Sequence, residues 1–124
     1  MKKYAFISHP FAGNEIENRN NVDAICRKLL DENIVPISPL HLFGFYSEDK
    51  DRGEIMEVCK YLIDMCDQVY VYGDSPGCNE ELRYAIRRNK PVKILFGEAA
   101  APTEDYMNPL TAALGIPNYR KGTL

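Results

Sequence analysis

A chain of 124 residues is one domain's worth, long enough to bury a single core without disulfide or metal staples. Apolar residues make up 45% and charged residues 27%, an ordinary globular balance, and the net charge of −3 excludes the broad basic field that polymeric nucleic acid requires. A small anion is not excluded, because backbone N–H groups bind one whatever the global charge.

Residues 3–8, KYAFIS, read as a first strand ending at His9-Pro10. The loop PFAGNE follows, and NRNNVDAICRKLLDEN, 18–33, reads as a helix. Its apolar stripe is Val22, Ile25, Cys26, Leu29 and Leu30, and Asn33 serves as its stop. IVPIS, 34–38, is a short second strand in which Pro36 favours an edge position. PLHLFGFYSEDKDRG reads as a long, partly aromatic loop, a kind that is often functional.

A second helix covers 53–66, with Ile55, Val58, Cys59, Leu62, Ile63 and Cys66 on one face. QVYVYG, 68–73, has the β-branched and aromatic content of a buried parallel strand. A third helix spans 78–89, with Leu82, Ala85 and Ile86 inward, and PVKILF supplies a fourth strand. The tail 97–124 is less regular, and MNPLTAALG suits a short last helix.

Strands alternating with helices predict a single α/β domain over 1–124, with its core at 3–96. The expected architecture is a flavodoxin/Rossmann-like three-layer sandwich with a parallel sheet of order 2-1-3-4, with room for a fifth strand. The ligand crevice then lies at the carboxyl ends of strands 1 and 3. That edge collects Ser8, His9, Phe11, Gly13 and Asn14, then His41, then Asp74, Ser75, Gly77 and Glu81.

The four cysteines have neither C-x-x-C nor zinc spacing, so no metal or other cofactor is expected. MKKYAFISHPF has a basic start but only a short apolar run, unlike a secretory leader, and no segment is long and apolar enough for a membrane span. The expectation is a reduced, cytoplasmic protein that does not engage a membrane.

Two readings stand for the residues at the crevice. Ser75 either contacts a phosphate or caps the helix. Glu81 is either a catalytic carboxylate or an acidic residue complementing the helix dipole, worth roughly 0.3–1 kcal/mol. His9 and His41 are either proton donors or hydrogen-bonded loop histidines. Phe11, Phe43, Phe45 and Tyr46 either stack on a ligand or fill the core.

SPGCNEELRYAIRRNKPVKIL, 75–95, resembles the signature of the nucleoside 2-deoxyribosyltransferase superfamily: a serine, a glycine, Glu-Leu-x-x-Ala, then Lys-Pro before a strand. ISHPFAGNEIENRNN and VPISPLHLFGFY resemble a branch of it found often in bacterial and phage genomes, with Pro39, His41, Cys66 and Asp67 at matching positions. The resemblance covers residues 3–96. It implies that Glu81 is the nucleophile attacking the sugar's anomeric carbon, with Ser75 at the sugar or its 5′ group. The ligand it implies is a nucleoside or nucleotide whose N-glycosidic bond is cleaved or transferred.

The sequence departs from this pattern at Cys59, where characterised members carry an aspartate that assists proton transfer. Cys59 lies on the apolar stripe and reads as core packing, which leaves His41 or His9 to supply the acid. The competing reading is a non-catalytic sensor or sequestering protein for a nucleotide-derived ligand. The resemblance also implies a homo-oligomer in which a neighbour's tail closes the sugar site. Tyr106, Met107, Leu110 and Leu114 would then pack on the partner and Asn108 would reach into its site. The alternative is a tail docked on its own sheet edge.

Overall fold

The computed structural model describes residues 2–45 and 48–96. Tyr46, Asn108, the residues expected to pack on a partner (Tyr106, Met107, Leu110 and Leu114) and the stretch expected as a last helix lie outside the described residues. Among the described residues eight elements follow in chain order: β1 (Lys3–Ser8), α1 (Glu15–Asp31), β2 (Ile34–Ile37), α2 (Pro39–Leu42), α3 (Glu48–Met65), β3 (Gln68–Val71), α4 (Pro76–Arg87) and β4 (Val92–Ile94). The strands form a parallel sheet of order β2-β1-β3-β4, the expected architecture.

Register explains which residues meet. In β1–β3, Ala5 pairs with Gln68 and Ser8 with Val71, so the carboxyl ends of the two strands finish level. Alternation along β1 sends Ala5 and Ile7 to one face, where they pack with Val22, Leu29 and Tyr70 beneath α1. Phe6 goes to the other face, joining Val69, Val71 and Val92 against Cys59 and Ile63 of α3 and Leu82 and Ala85 of α4. These two cores on opposite faces define three layers. Each fully buried large aliphatic or aromatic side chain contributes about 1.5–3 kcal/mol. Ser8, two residues after Phe6, shares the α3/α4 face and is itself buried. The one polar side chain at the end of β1 is therefore aimed at α4.

Among the described residues β2 pairs only with β1, which lets Pro36 sit on the edge without removing a ladder bond. Asn33 takes a left-handed conformation (φ 67°) and ends α1, and Asn89 (φ 59°) does the same after α4. The helix α1 starts at Glu15, three residues before the expected boundary, with Glu15 and Glu17 in its first turn. The stretch expected as one long loop holds α2 and the first turn of α3. Pro39 at the first position of α2 suits a helix start, since its missing N–H is unpaired there anyway.

At the far end, Asp64 of α3 accepts from the Tyr84 hydroxyl at 2.7 Å and from Arg88 Nε at 2.8 Å. Lys90 Nζ donates to the carbonyls of Asp64 and Cys66. This tie fixes α4 against α3 and so sets where Glu81, midway along α4, is presented.

A close approach closes the β1–α1 turn. A Cβ on Gly73 would lie 2.4 Å from Pro10 Cγ and 2.6 Å from its Cδ. Gly73→Ala is therefore expected to cost about 1–3 kcal/mol, because a rigid ring has to move rather than a flexible side chain. Urea denaturation measures this, and an unchanged midpoint would show that the turn yields freely.

Candidate functional site

Ser75 starts α4: its backbone is extended and its Oγ accepts from Cys78 N–H at 3.3 Å, with Pro76 next. The buried face of this helix runs Gly77, Cys78, Glu81, Leu82 and Ala85. The i, i+4 spacing stacks Gly77 and Glu81 on one side. Glu81 does not project into solvent as a dipole-complementing residue would; it is 8% exposed, and its Oε1 accepts from Ser8 Oγ at 2.5 Å. Glu81 thus stands at the carboxyl end of β1.

Three features set the charge of Glu81. Burial disfavours the carboxylate and pushes its pKa up to about 7. The hydrogen bonds from Ser8 and from the Cys59 thiol oppose that rise, as does the positive charge of Arg52, while Glu80 adds to it. Cys59 is 1% exposed and packs in the core as expected, yet it also touches the carboxylate. Burial and then the neighbouring Glu81 push the Cys59 thiol far above the usual range. Cys78 is pushed up too, chiefly by burial.

Arg52 is the residue of this site that sequence reasoning missed. A Cβ on Gly77 would lie 2.6 Å from Arg52 Nη2 and 3.9 Å from Met56 Sδ, so the guanidinium lies over the first turn of α4. Arg52, Met56 and Cys59 form one face of α3, with Arg52 opposite Gly77 and Cys59 opposite Glu81. Extending the apolar stripe of this helix back from Ile55 would have reached Arg52, but Asp51-Arg52-Gly53 has the composition of a loop. Gly77→Ala is expected to displace the flexible guanidinium at a stability cost within about 1 kcal/mol. Glu81 then loses a favourable charge, and its titration midpoint in carboxyl-carbon NMR should rise. An unmoved midpoint would show that Arg52 does not act on Glu81 from this position.

Glu81, Cys59, Arg52, Ser75 and Gly77 line one cavity of about 80 Å³ with His9 and Phe11. A second chamber of about 90 Å³, between Phe43 and Arg19, shares the walls formed by Phe11, Pro39, Leu40 and Ile55. His9 is held on two sides, with Nδ1 2.7 Å from the Pro10 carbonyl and the ring tilted on Tyr72 at 6.2 Å, and the next residue, Pro10, lies close against Gly73. Ser8, His9, Phe11, Ser75, Gly77 and Glu81 are therefore brought together.

His41 and Gly13 are not. α2 turns His41 toward α1, where Nε2 meets Asp23 Oδ1 and Nδ1 meets Ser38 Oγ at 2.8 Å. His41 lines a separate groove of about 550 Å³ with Cys26, Leu30 and Pro36, so the expectation of His41 as the acid beside Glu81 is corrected by the geometry. Gly13 (φ 102°) is exposed, with its N–H directed to Glu15 Oε2, and does not line the cavity. Of the aromatics, Phe43 lines the second chamber, while Phe45 is 79% exposed and fills no core.

Among the described residues no group of three or more His, Cys, Asp or Glu side chains is placed to hold a metal ion, and no helix is long and apolar enough to cross a membrane. The four cysteines are free thiols.

The fold is that of nucleoside 2-deoxyribosyltransferase-like proteins. A 2-deoxyribosyltransferase of Bacillus psychrosaccharolyticus superposes with a TM-score of 0.66 at 16% identity, over 98% of this chain and 99% of that one. A 2-desoxiribosyltransferase of Leishmania mexicana gives 0.63 at 14% identity, over 97% of this chain and 79% of that one. The CMP N-glycosidase BcmB of Clostridium botulinum gives 0.58 at 17% identity, over 94% of this chain and 84% of that one. A search of the curated proteins finds no match. A family model matches residues 3–95, most of the chain, and the protein belongs to that family, described as Domain of unknown function (DUF7768).

Proposed function

We propose that this protein cleaves or transfers the N-glycosidic bond of a nucleoside or nucleotide, with Glu81 as the nucleophile. The observation that carries this reading is the buried Glu81 carboxylate, oriented by Ser8 and lining a cavity at the carboxyl end of the central strands. The fold shared with 2-deoxyribosyltransferases and a CMP N-glycosidase supports it.

In this reading Glu81 attacks C1′ as the base departs through an oxocarbenium-like transition state. Water or a second base then resolves the glycosyl ester. A pKa near 7 leaves a useful fraction ionised at neutral pH, while burial keeps the carboxylate poorly solvated and so reactive. Ser75 and Gly77 at the start of α4 bind the sugar or its 5′ group, and Arg52 supplies positive charge beside them. Phosphate-bearing ligands are then expected to bind more tightly than their nucleosides. Ligand sites span roughly 300–1,000 Å³, so the shared wall of Phe11, Pro39 and Leu40 opens to join the two chambers when a nucleoside enters. We place the protein in the cytoplasm, as a homo-oligomer whose neighbouring tail, through Asn108, completes the sugar site.

Chromatography for free base after incubation with the common nucleosides and their 5′-monophosphates tests the reading, with Glu81→Ala as the control. Base released by the native protein and lost in the variant supports it. Light scattering tests the assembly, and a monomer at tens of micromolar would remove the shared site. A second reading, a non-catalytic sensor or sequestering protein, is favoured by Cys59, which sits where an acid is needed but holds its proton too tightly. Ligand-induced thermal shifts without any base released would select it.

A further inference from the structure

Breaking an N-glycosidic bond at neutral pH requires a proton for the departing base, and Glu81 cannot be both nucleophile and donor in one step. The described side chains that share its cavity and carry an ionisable proton are few. The Cys59 and Cys78 thiols are both made weaker acids by burial. A guanidinium such as that of Arg52 does not give up its proton in a protein. The chain has two histidines, and His41 faces the other groove. His9 lines the same cavity as Glu81.

We propose that His9 is the catalytic acid–base of this site. The inference rests on the glycosidic reading above and names the group that replaces the carboxylate missing at position 59. The geometry around the ring is that of a positioned proton carrier. A carbonyl oxygen only accepts, so the 2.7 Å bond to Pro10 assigns a proton to Nδ1 and leaves Nε2 as the atom that cycles. The tilt on Tyr72 and the contact of Pro10 with Gly73 fix the ring plane and the turn that carries it.

The steps balance without any further reactant. In the first, the C1′–N bond breaks and its electron pair goes to the base, which takes the proton from His9 Nε2 while a Glu81 oxygen bonds to C1′. In the second, water bonds to C1′, its proton goes to His9 Nε2, and the C1′–O bond to Glu81 breaks. The sum is hydrolysis to free base and sugar. A second base in place of water gives transfer, with the same atom of His9 accepting its proton.

The test pairs two leaving groups. The 2′-deoxynucleosides of the natural bases need protonation, whereas 4-nitrophenyl 2-deoxyriboside releases a stable anion that does not. His9→Asn keeps an amide that can donate to the Pro10 carbonyl but removes Nε2, and His9→Ala removes both. Both variants are expected to lose on the order of 10²–10⁴-fold in the first-turnover release of base from the nucleosides, while their first-turnover burst of 4-nitrophenolate, which precedes any need for His9 as a base, stays within a few-fold of native. Added imidazole is expected to restore part of the His9→Ala activity. Glu81→Gln loses both reactions, which separates the nucleophile from the acid. Equal losses in the two first-turnover rates, or nucleoside activity within threefold of native, would overturn the role of His9 while leaving the glycosidic reading intact. If the native protein cleaves neither these substrates nor the nucleoside 5′-monophosphates, both readings fall.

Discussion

Glutamine at position 81 is expected to leave the protein more stable than native above pH 7, with its stability no longer falling between pH 5 and pH 8. The native carboxyl has its pKa raised from 4.5 to about 7 by burial. Between those values the folded chain holds a proton that the unfolded chain has released, so stability declines as pH rises through that window and is level above it. The span corresponds to roughly 3 kcal/mol. Glutamine fits the same space, cannot ionise, and offers an oxygen to the Ser8 hydroxyl, so the variant keeps the low-pH stability at every pH. Urea denaturation at pH 5, 7 and 9 measures this: native midpoints fall from pH 5 to pH 7 and then level off, and those of Glu81→Gln stay level throughout. Parallel curves for the two proteins would mean that Glu81 is not titrating in a buried site. Under the proposed function the same change removes the nucleophile and costs on the order of 10³-fold or more in base release. A gain in stability paired with a loss of function would mark Glu81 as a strained functional group, since structural residues lose stability when altered.

The strand order and the meeting of Ser8 with Glu81 were legible because each follows from a strong periodic signal. Four apolar runs separated by helical stripes fix a parallel sheet, and alternation from Phe6 to Ser8 fixes the face on which Ser8 lies. The cap at Ser75 was legible for a related reason, since Ser-Pro before a helical stripe names its own start. The segment from Pro39 to Gly53 was not. Its one-turn helix α2 is too short to show periodicity, and the polar first turn of α3 carries no apolar stripe. The two main errors follow from that one segment. α2 rotates His41 onto Asp23, a contact set by tertiary packing between elements far apart in sequence. The early start of α3 brings Arg52 onto Gly77, which no local pattern announces. Cys59 was half-read: its place in the core was clear from the stripe, but its contact with Glu81 depends on how α3 crosses α4.

Aspartate at position 59 tests why a thiol occupies this place. The site already holds one buried carboxylate, with Ser8, Cys59 and Arg52 favouring its charge and Glu80 opposing it. A second carboxylate against Glu81 removes a neutral donor and adds a like charge, so the pair holds a shared proton to higher pH. Folded pKa values raised in this way favour the folded state at low pH, and that advantage is lost as pH rises. Cys59→Asp is therefore expected to be modestly less stable than native at pH 5. At pH 8, where both carboxylates are driven to ionise in a space that is 1% exposed at Cys59, the deficit grows to about 3–5 kcal/mol. That is a large share of the roughly 5–15 kcal/mol typical of a domain. Urea denaturation at the two pH values reads the difference. Repeating the change in the Glu81→Gln background isolates the coupling: with the Glu81 carboxylate gone, the extra loss at pH 8 should shrink to the cost of burying the introduced carboxylate alone. If Cys59→Asp matches native stability at pH 8, the cavity tolerates two charges, and Arg52 rather than the neutral thiol governs the ionisation of Glu81.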